Sequence, residues 1–144
     1  MVKIVYNPHA EMKIKERGIE VIADTSFLMV PGLFGVDVVG ELNRLLEQPH
    51  ELAIPSPVLQ ELEQISERGK PKERAAAKIG LILSKRGKVI EAKGVADEVI
   101  LGLALKGRYM VGTTDAALRK ELRRRGVPVI YLRQRSHLAI DGWV

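Results

Sequence analysis

The chain has 144 residues, 46% of them hydrophobic, with a net charge of +5 and no cysteine. That length and apolar content suit one globular domain with a real core, and the lack of cysteine excludes both a disulfide framework and a thiolate zinc site. The three histidines, His9, His50 and His137, have no ligand-like spacing, so any metal must be held mainly by oxygen.

Residues 1–18 are mixed and Lys-rich and read as an N-terminal appendage carrying a short edge strand at 2–6, with the domain spanning 19–144. Neither this start nor any later apolar run is long enough for a signal or a membrane span, so a cytoplasmic protein without a membrane partner is expected. The first strand is the apolar run 19–23, which stops at Asp24. A loop containing Pro31, Gly32 and Gly35 follows. Residues 38–46 have helical apolar spacing with Asp37 as the cap, and 50–54 read as a second strand. Pro55 and Pro57 open a helix over 58–68, Gly69 and Pro71 punctuate, and the Ala-rich stretch 72–85 forms another helix.

A third strand is expected at 88–91, then a helix over 97–106, apolar on most faces and therefore expected to be buried. Strands at 109–112 and 127–132 flank a strongly basic helix over 116–125, which Gly126 and Pro128 terminate in the usual order. Strands alternating with helices imply a parallel sheet covered on both faces.

Four acids stand where a strand ends or a helix begins. Asp24 follows the first strand and Asp115 follows the fourth, so both lie at the carboxyl edge, where open parallel sheets bind ligands. Asp97 shares a helix face with Ile100, Leu101 and Ala104, whereas its neighbour Glu98 points elsewhere. Glu61 lies beside the inward stripe of Val58, Leu62 and Ile65, with Glu63 further round toward solvent. Each has an ordinary alternative: Asp97 and Asp115 as helix caps, Asp24 as a turn residue, Glu61 as a surface charge. Clustered carboxylates raise one another's pKa, a penalty that a hard divalent cation removes.

Several other sites are excluded. No G-x-G-x-x-G follows the first strand, Gly69 and Lys70 lack the rest of a phosphate-cradling loop, and there is no G-x-S-x-G elbow. An aspartyl-phosphate site would carry a second aspartate where this chain has Ser26.

The segments IADTSFL (22–28), VLQELE with Glu61, GVADEVI with Asp97, and VGTTDAALRKELRRRGVPVIYLR (111–133) resemble the successive motifs of PIN-domain ribonucleases, in order and spacing, over 19–132. The last motif is the most specific, and it is most similar to the branch that processes small-subunit ribosomal RNA. The resemblance implies a three-layer α/β/α sandwich with a central parallel sheet and a metal-dependent endoribonuclease site using Mg²⁺ or Mn²⁺, leaving 5′-phosphate and 3′-hydroxyl ends. It makes Asp24, Glu61, Asp97 and Asp115 the catalytic and metal-binding acids, with Ser26 and Thr113 as hydrogen-bonding support. Glu98 and Thr114 depart from the branch's common residues, which leaves the role of Glu98 open.

RNA needs a basic approach to such an acidic centre. Arg119, Lys120, Arg123, Arg124 and Arg125 lie on the helix after Asp115, and Arg133 and Arg135 follow the last strand. The same residues serve equally as a solvated face whose cations suit the helix carboxyl end. The near absence of acids there, Glu121 apart, favours RNA contact. Two other settings stay open: a toxin ribonuclease held by an antitoxin protein, and a non-catalytic RNA-binding ribosome assembly factor. A homodimer is compatible with each.

Overall fold

The structure is a computed structural model that describes residues 18–142; the strand expected at 2–6 and nearly all of the N-terminal appendage lie outside the described residues. Six strands form one sheet in the order β3-β2-β1-β4-β5-β6. They are β1 (Ile19–Ala23), β2 (His50–Pro55), β3 (Lys88–Ile90), β4 (Tyr109–Gly112), β5 (Val129–Arg133) and β6 (His137–Asp141). Helices α1 (Thr25–Leu28), α2 (Val30–Phe34), α3 (Val38–Leu45), α4 (Ser56–Arg68), α5 (Pro71–Ser84), α6 (Ala96–Ala104) and α7 (Ala116–Arg124) flank it, completing an α/β/α sandwich. Among the described residues no helix is long and apolar enough to cross a membrane.

Strand β1 is central, paired in parallel with β2 on one side and β4 on the other. Covered on both faces, it reads as the near-continuous apolar run Ile-Glu-Val-Ile-Ala. The chain builds β2 and β3 outward on one side, then crosses back to lay β4 and β5 on the other, so the switch point lies at the carboxyl ends of β1 and β4. The ring of Phe27, from α1, packs over the end of β4. A Cβ at Gly112 would stand 2.8 Å from that ring, so glycine is what permits the approach.

The elements expected among the described residues are present, with ends that differ by no more than two residues, but three expectations need correction. The sheet is not wholly parallel: β6, which no sequence pattern announces, pairs antiparallel with β5. Its hairpin turn places Gln134 and Arg135 at φ of 54° and 57°, left-handed conformations usually signalled by Asn or Gly, so the sequence carries no turn signal there. The loop after Asp24 is largely helical, because Pro31 is tolerated in the first turn of α2 and Gly35, at φ 69°, ends it. Helix α6 is not buried all round: Ala96, Ile100 and Ala104 face the core, while Gly102 and Leu105 at its end are exposed.

Strand β6 is a sheet edge, and α3 guards it. Glu41 Oε1 accepts the Leu138 N–H at 2.9 Å and Arg44 Nη2 donates to the Leu138 carbonyl at 2.9 Å, so two side chains stand in for a neighbouring strand. Arg44 and the Leu138 N–H hold the Glu41 carboxyl down at about 2. Pairing of edge backbone groups in this way blocks adventitious strand addition.

Candidate active site

The four acids predicted from sequence reach one place from four separate segments. Asp24, Glu61, Asp97 and Asp115 line a cleft of about 280 Å³ at the carboxyl edge of the sheet, together with Thr25, Ser26, Met29 and Ala96. A larger cavity of about 340 Å³ lies at the opposite edge, between the starts of β4 and β5, and no acid lines it.

Asp24 is the buried member, and both of its oxygens are held. Oδ1 accepts from Ser26 Oγ at 2.6 Å and from the Phe27 N–H at 2.8 Å, while Oδ2 accepts from the Thr113 hydroxyl. Thr113 is fully buried, and its Oγ1 also accepts the Asp115 N–H at 3.0 Å. One hydroxyl therefore ties the end of β1 to the turn after β4. Ser26 Oγ makes a second tie by accepting the Thr114 N–H at 2.9 Å.

Asp115 caps α7, its Oδ1 accepting from the Ala117 and Leu118 N–H groups at 2.8 and 3.1 Å. The capping role and a place in the cleft coexist, since its carboxylate retains a second oxygen. Asp97 is no cap: Val95 occupies that position, and the Asp97 carboxylate makes no hydrogen bond among the described residues. Glu61 Oε2 accepts from Thr25 Oγ1 at 2.6 Å. Thr25 is the polar cleft residue that sequence reasoning missed, beside the apolar Met29 and Ala96. Its only signal was a hydroxyl between Asp24 and Ser26, and nothing local says which of two adjacent hydroxyls meets a glutamate 36 positions away. Glu63 and Glu98 are exposed and do not line the cleft.

The electrostatics match a site short of positive charge. Burial pushes the Asp24 carboxyl up to about 6, against partial relief from its Ser26, Thr113 and Phe27 hydrogen bonds, with Asp97 adding a like-charge push. Asp97 stands on the surface, yet the protein around it displaces enough water to raise its carboxyl as well, and Asp115 and Glu61 add to the rise. The donors are all oxygen, which suits a hard divalent cation. Among the described residues no three acidic or histidine side chains form a ready metal cage. The fit is therefore to an open site, in which water and substrate phosphate complete the coordination, as is usual for Mg²⁺.

The basic residues are more heavily paired than the sequence suggested. Glu121 binds both Arg124, at 3.0 Å, and Arg125, at 2.9 Å. Asp141, from the unforeseen strand β6, binds Arg119 at 2.9 Å and Arg123 at 3.3 Å. The expectation of a helix nearly free of acids is thus corrected by an acid that only the fold brings near. Lys120, Arg133 and Arg135 are exposed and make no ion pair among the described residues. The last two sit at the β5–β6 turn, on the same sheet edge as the cleft.

Comparison with known proteins agrees with the fold. A family described as "PIN like domain" matches residues 21–135. Ribonuclease VapC4 of Methanocaldococcus jannaschii is 31% identical over 129 residues, covering 87% of this chain and 98% of its own length. Ribonuclease VapC9 of Archaeoglobus fulgidus is 29% identical over 120 residues, covering 83% of this chain and 87% of its own. Among solved structures, that of the PIN domain endonuclease Utp24 superposes with a TM-score of 0.73 at 23% identity, over 87% of this chain and 92% of that one. A domain of a functionally unknown protein from Methanocaldococcus jannaschii gives a TM-score of 0.56 at 18% identity, over 79% of this chain and 91% of that one.

Proposed function

The chain belongs to the PIN-like domain family, and from that premise we propose that it is a metal-dependent endoribonuclease whose active centre is the cleft of Asp24, Glu61, Asp97 and Asp115. The observation that carries this reading is the convergence of four acids, each from a different element, on one cleft at the switch point of the sheet. These carboxylates would hold Mg²⁺ or Mn²⁺. Such a cation, when bound, supplies an activated water and neutralises charge at the phosphoryl group under attack.

The chain's own residues do the rest. Ser26 and Thr113 fix both oxygens of Asp24, so its carboxylate has one orientation toward the cleft. Thr25 fixes Glu61 in the same way. With its carboxyl raised to about 6, Asp24 is largely ionised near neutral pH, the form a cation needs, and protonation below that value competes with loading of the site.

The test is cleavage of structured RNA in Mn²⁺ or Mg²⁺ against EDTA, paired with thermal melting. Cleavage is expected only with metal, and millimolar Mn²⁺ is expected to raise the melting temperature, since a ligand that binds only the folded state stabilises it. Glu61→Gln is expected to lose both responses and Glu63→Gln to keep them. RNA binding without cleavage at any metal concentration would favour the assembly-factor reading instead.

For the biological setting we favour the toxin reading over ribosomal RNA processing, reversing the order suggested by the motifs. Two relatives aligned over most of their length carry the VapC ribonuclease name, whereas the likeness to Utp24, at 23% identity, supports the fold alone. The partner would then be an antitoxin protein. Induced expression of the wild-type chain is expected to arrest growth and that of Asp115→Asn to be tolerated. Normal growth with an active enzyme present, together with cleavage confined to ribosomal RNA precursor fragments, would restore the processing reading.

A further inference from the structure

One carboxylate grips two arginines on α7. Arg119 donates its Nε–H to Asp141 Oδ2 at 2.9 Å, and Arg123 Nε stands 3.3 Å from Oδ1. The Arg119 guanidinium also lies over the Tyr131 ring, 3.5 Å from its centroid. Arg123 further gives an Nη1–H to the Val127 carbonyl at 3.3 Å, while the Nη groups of Arg119 make no hydrogen bond among the described residues. Together with Ala116, Lys120 and Arg124, these three side chains line an open trough of about 510 Å³. The trough begins at Ala116, the residue after the cleft's Asp115, and runs along α7 to Asp141, which pairs with Val129 at the amino end of β5.

A carboxylate in a cationic trough weakens polyanion binding if charge alone is counted. Its position argues for a different role. An exposed arginine loses much of its binding strength in freezing its rotamers, and a guanidinium already held at one edge loses less. Asp141 takes the Nε edge of both arginines, which lie one helical turn apart, and Tyr131 restrains Arg119 from below.

We propose that Asp141 is a positioning residue for RNA: it holds Arg119 and Arg123 so that their remaining N–H groups take backbone phosphates of the strand that enters the carboxylate cleft. This rests on the ribonuclease reading for the identity of the ligand. It differs from the sequence expectation of an unpaired basic face, because the arginines work here as a fixed pair and not as loose charges.

The sign of one substitution decides the matter. RNA affinity is measured by fluorescence anisotropy with a labelled RNA hairpin carrying single-stranded flanks, in EDTA and in an Asp24→Asn background, so that nothing is cut. Asp141→Ala is expected to weaken binding roughly fivefold although it removes a negative charge, and to flatten the salt dependence by somewhat under one slope unit for each phosphate the arginines release. In a chain already carrying Arg119→Ala and Arg123→Ala, the same change is expected to do nothing further. Tighter binding, unchanged binding, or an effect additive with the arginine changes would overturn the proposal. Melting curves accompany each variant, and should Asp141→Ala fail to fold, Asp141→Asn is judged by the same criteria. A wild-type chain that binds RNA through this pair but never cleaves it with Mn²⁺ would overturn the ribonuclease reading and leave this one standing. Cleavage by the wild type, with affinity indifferent to Asp141, would do the reverse.

Discussion

Asp24→Asn is expected to cut RNA cleavage by more than roughly a hundredfold, beyond the 10- to 100-fold typical of outer-shell partners, and yet to melt at a higher temperature than the wild-type chain in EDTA at about pH 8. The loss follows from removing the one cleft carboxylate that is buried and held at both oxygens. The gain follows from the same burial. In the folded chain the Asp24 carboxyl titrates at about 6, against an ordinary value of 3.8.

Between those two values the folded chain keeps a proton that the unfolded chain has released, so stability falls as pH rises through that window. Above it the whole cost of the buried charge remains, on the order of 3 kcal/mol for a shift of about two pKa units. Asparagine carries no such charge, and the Ser26 and Thr113 hydroxyls can turn to accept from its amide. The stabilisation should therefore be full at about pH 8 and fade as pH falls through 6 toward 4. Thermal melts over that range, in EDTA, check it. A variant that melts below the wild type at high pH would refute the burial argument, and one that cleaves normally would remove Asp24 from the site.

Thr113→Val is expected to destabilise the fold by about 1–3 kcal/mol, the usual cost of leaving buried polar groups unpartnered. Valine keeps the shape of threonine, so the effect isolates the hydroxyl. Without it, the buried Asp24 Oδ2 and the part-buried Asp115 N–H both lose a partner. The loss of a hydrogen bond that lowers the Asp24 carboxyl raises it further, which weakens cation loading near neutral pH. Cleavage should fall roughly 10- to 100-fold. Thr113→Ser, which restores the hydroxyl, should recover most of the activity. Urea unfolding and single-turnover cleavage measure the two effects separately; equal rates for the Val and Ser variants would show that the hydroxyl does not act on the site.

Local chemistry made much of this protein legible from its residues. The run that became β1 stops at an aspartate, α7 opens on the capping residue Asp115, and Gly126, at φ 80°, follows its end as a glycine should. Alternating strands and helices dictate crossover connections, and crossovers make neighbouring strands parallel. Once that is granted, residues just after β1 and β4 must share an edge of the sheet, so Asp24 and Asp115 fall on it; that β1 and β4 are adjacent strands is the fold's contribution. The side chosen for Glu61 over Glu63 needed only the helical period.

Tertiary structure decided what lies between residues far apart in the chain. The bond from Thr25 to Glu61 spans 36 positions and that from Thr113 to Asp24 spans 89. Local sequence dictates neither, because adjacent hydroxyls have the same local propensities and differ only in what the fold sets opposite them. Strand β6 is hidden for a related reason. Its turn relies on non-glycine residues in left-handed conformations, Gln134 and Arg135, and its unpaired edge is closed by Glu41 and Arg44 from a helix nearly a hundred residues earlier. Asp141 came with that strand, and with it the pairing of Arg119 and Arg123 that turns a basic helix face into a fixed pair of guanidinium groups. Local propensity is a property of a few neighbouring residues, whereas these contacts exist only after the sheet has closed the long loops between them.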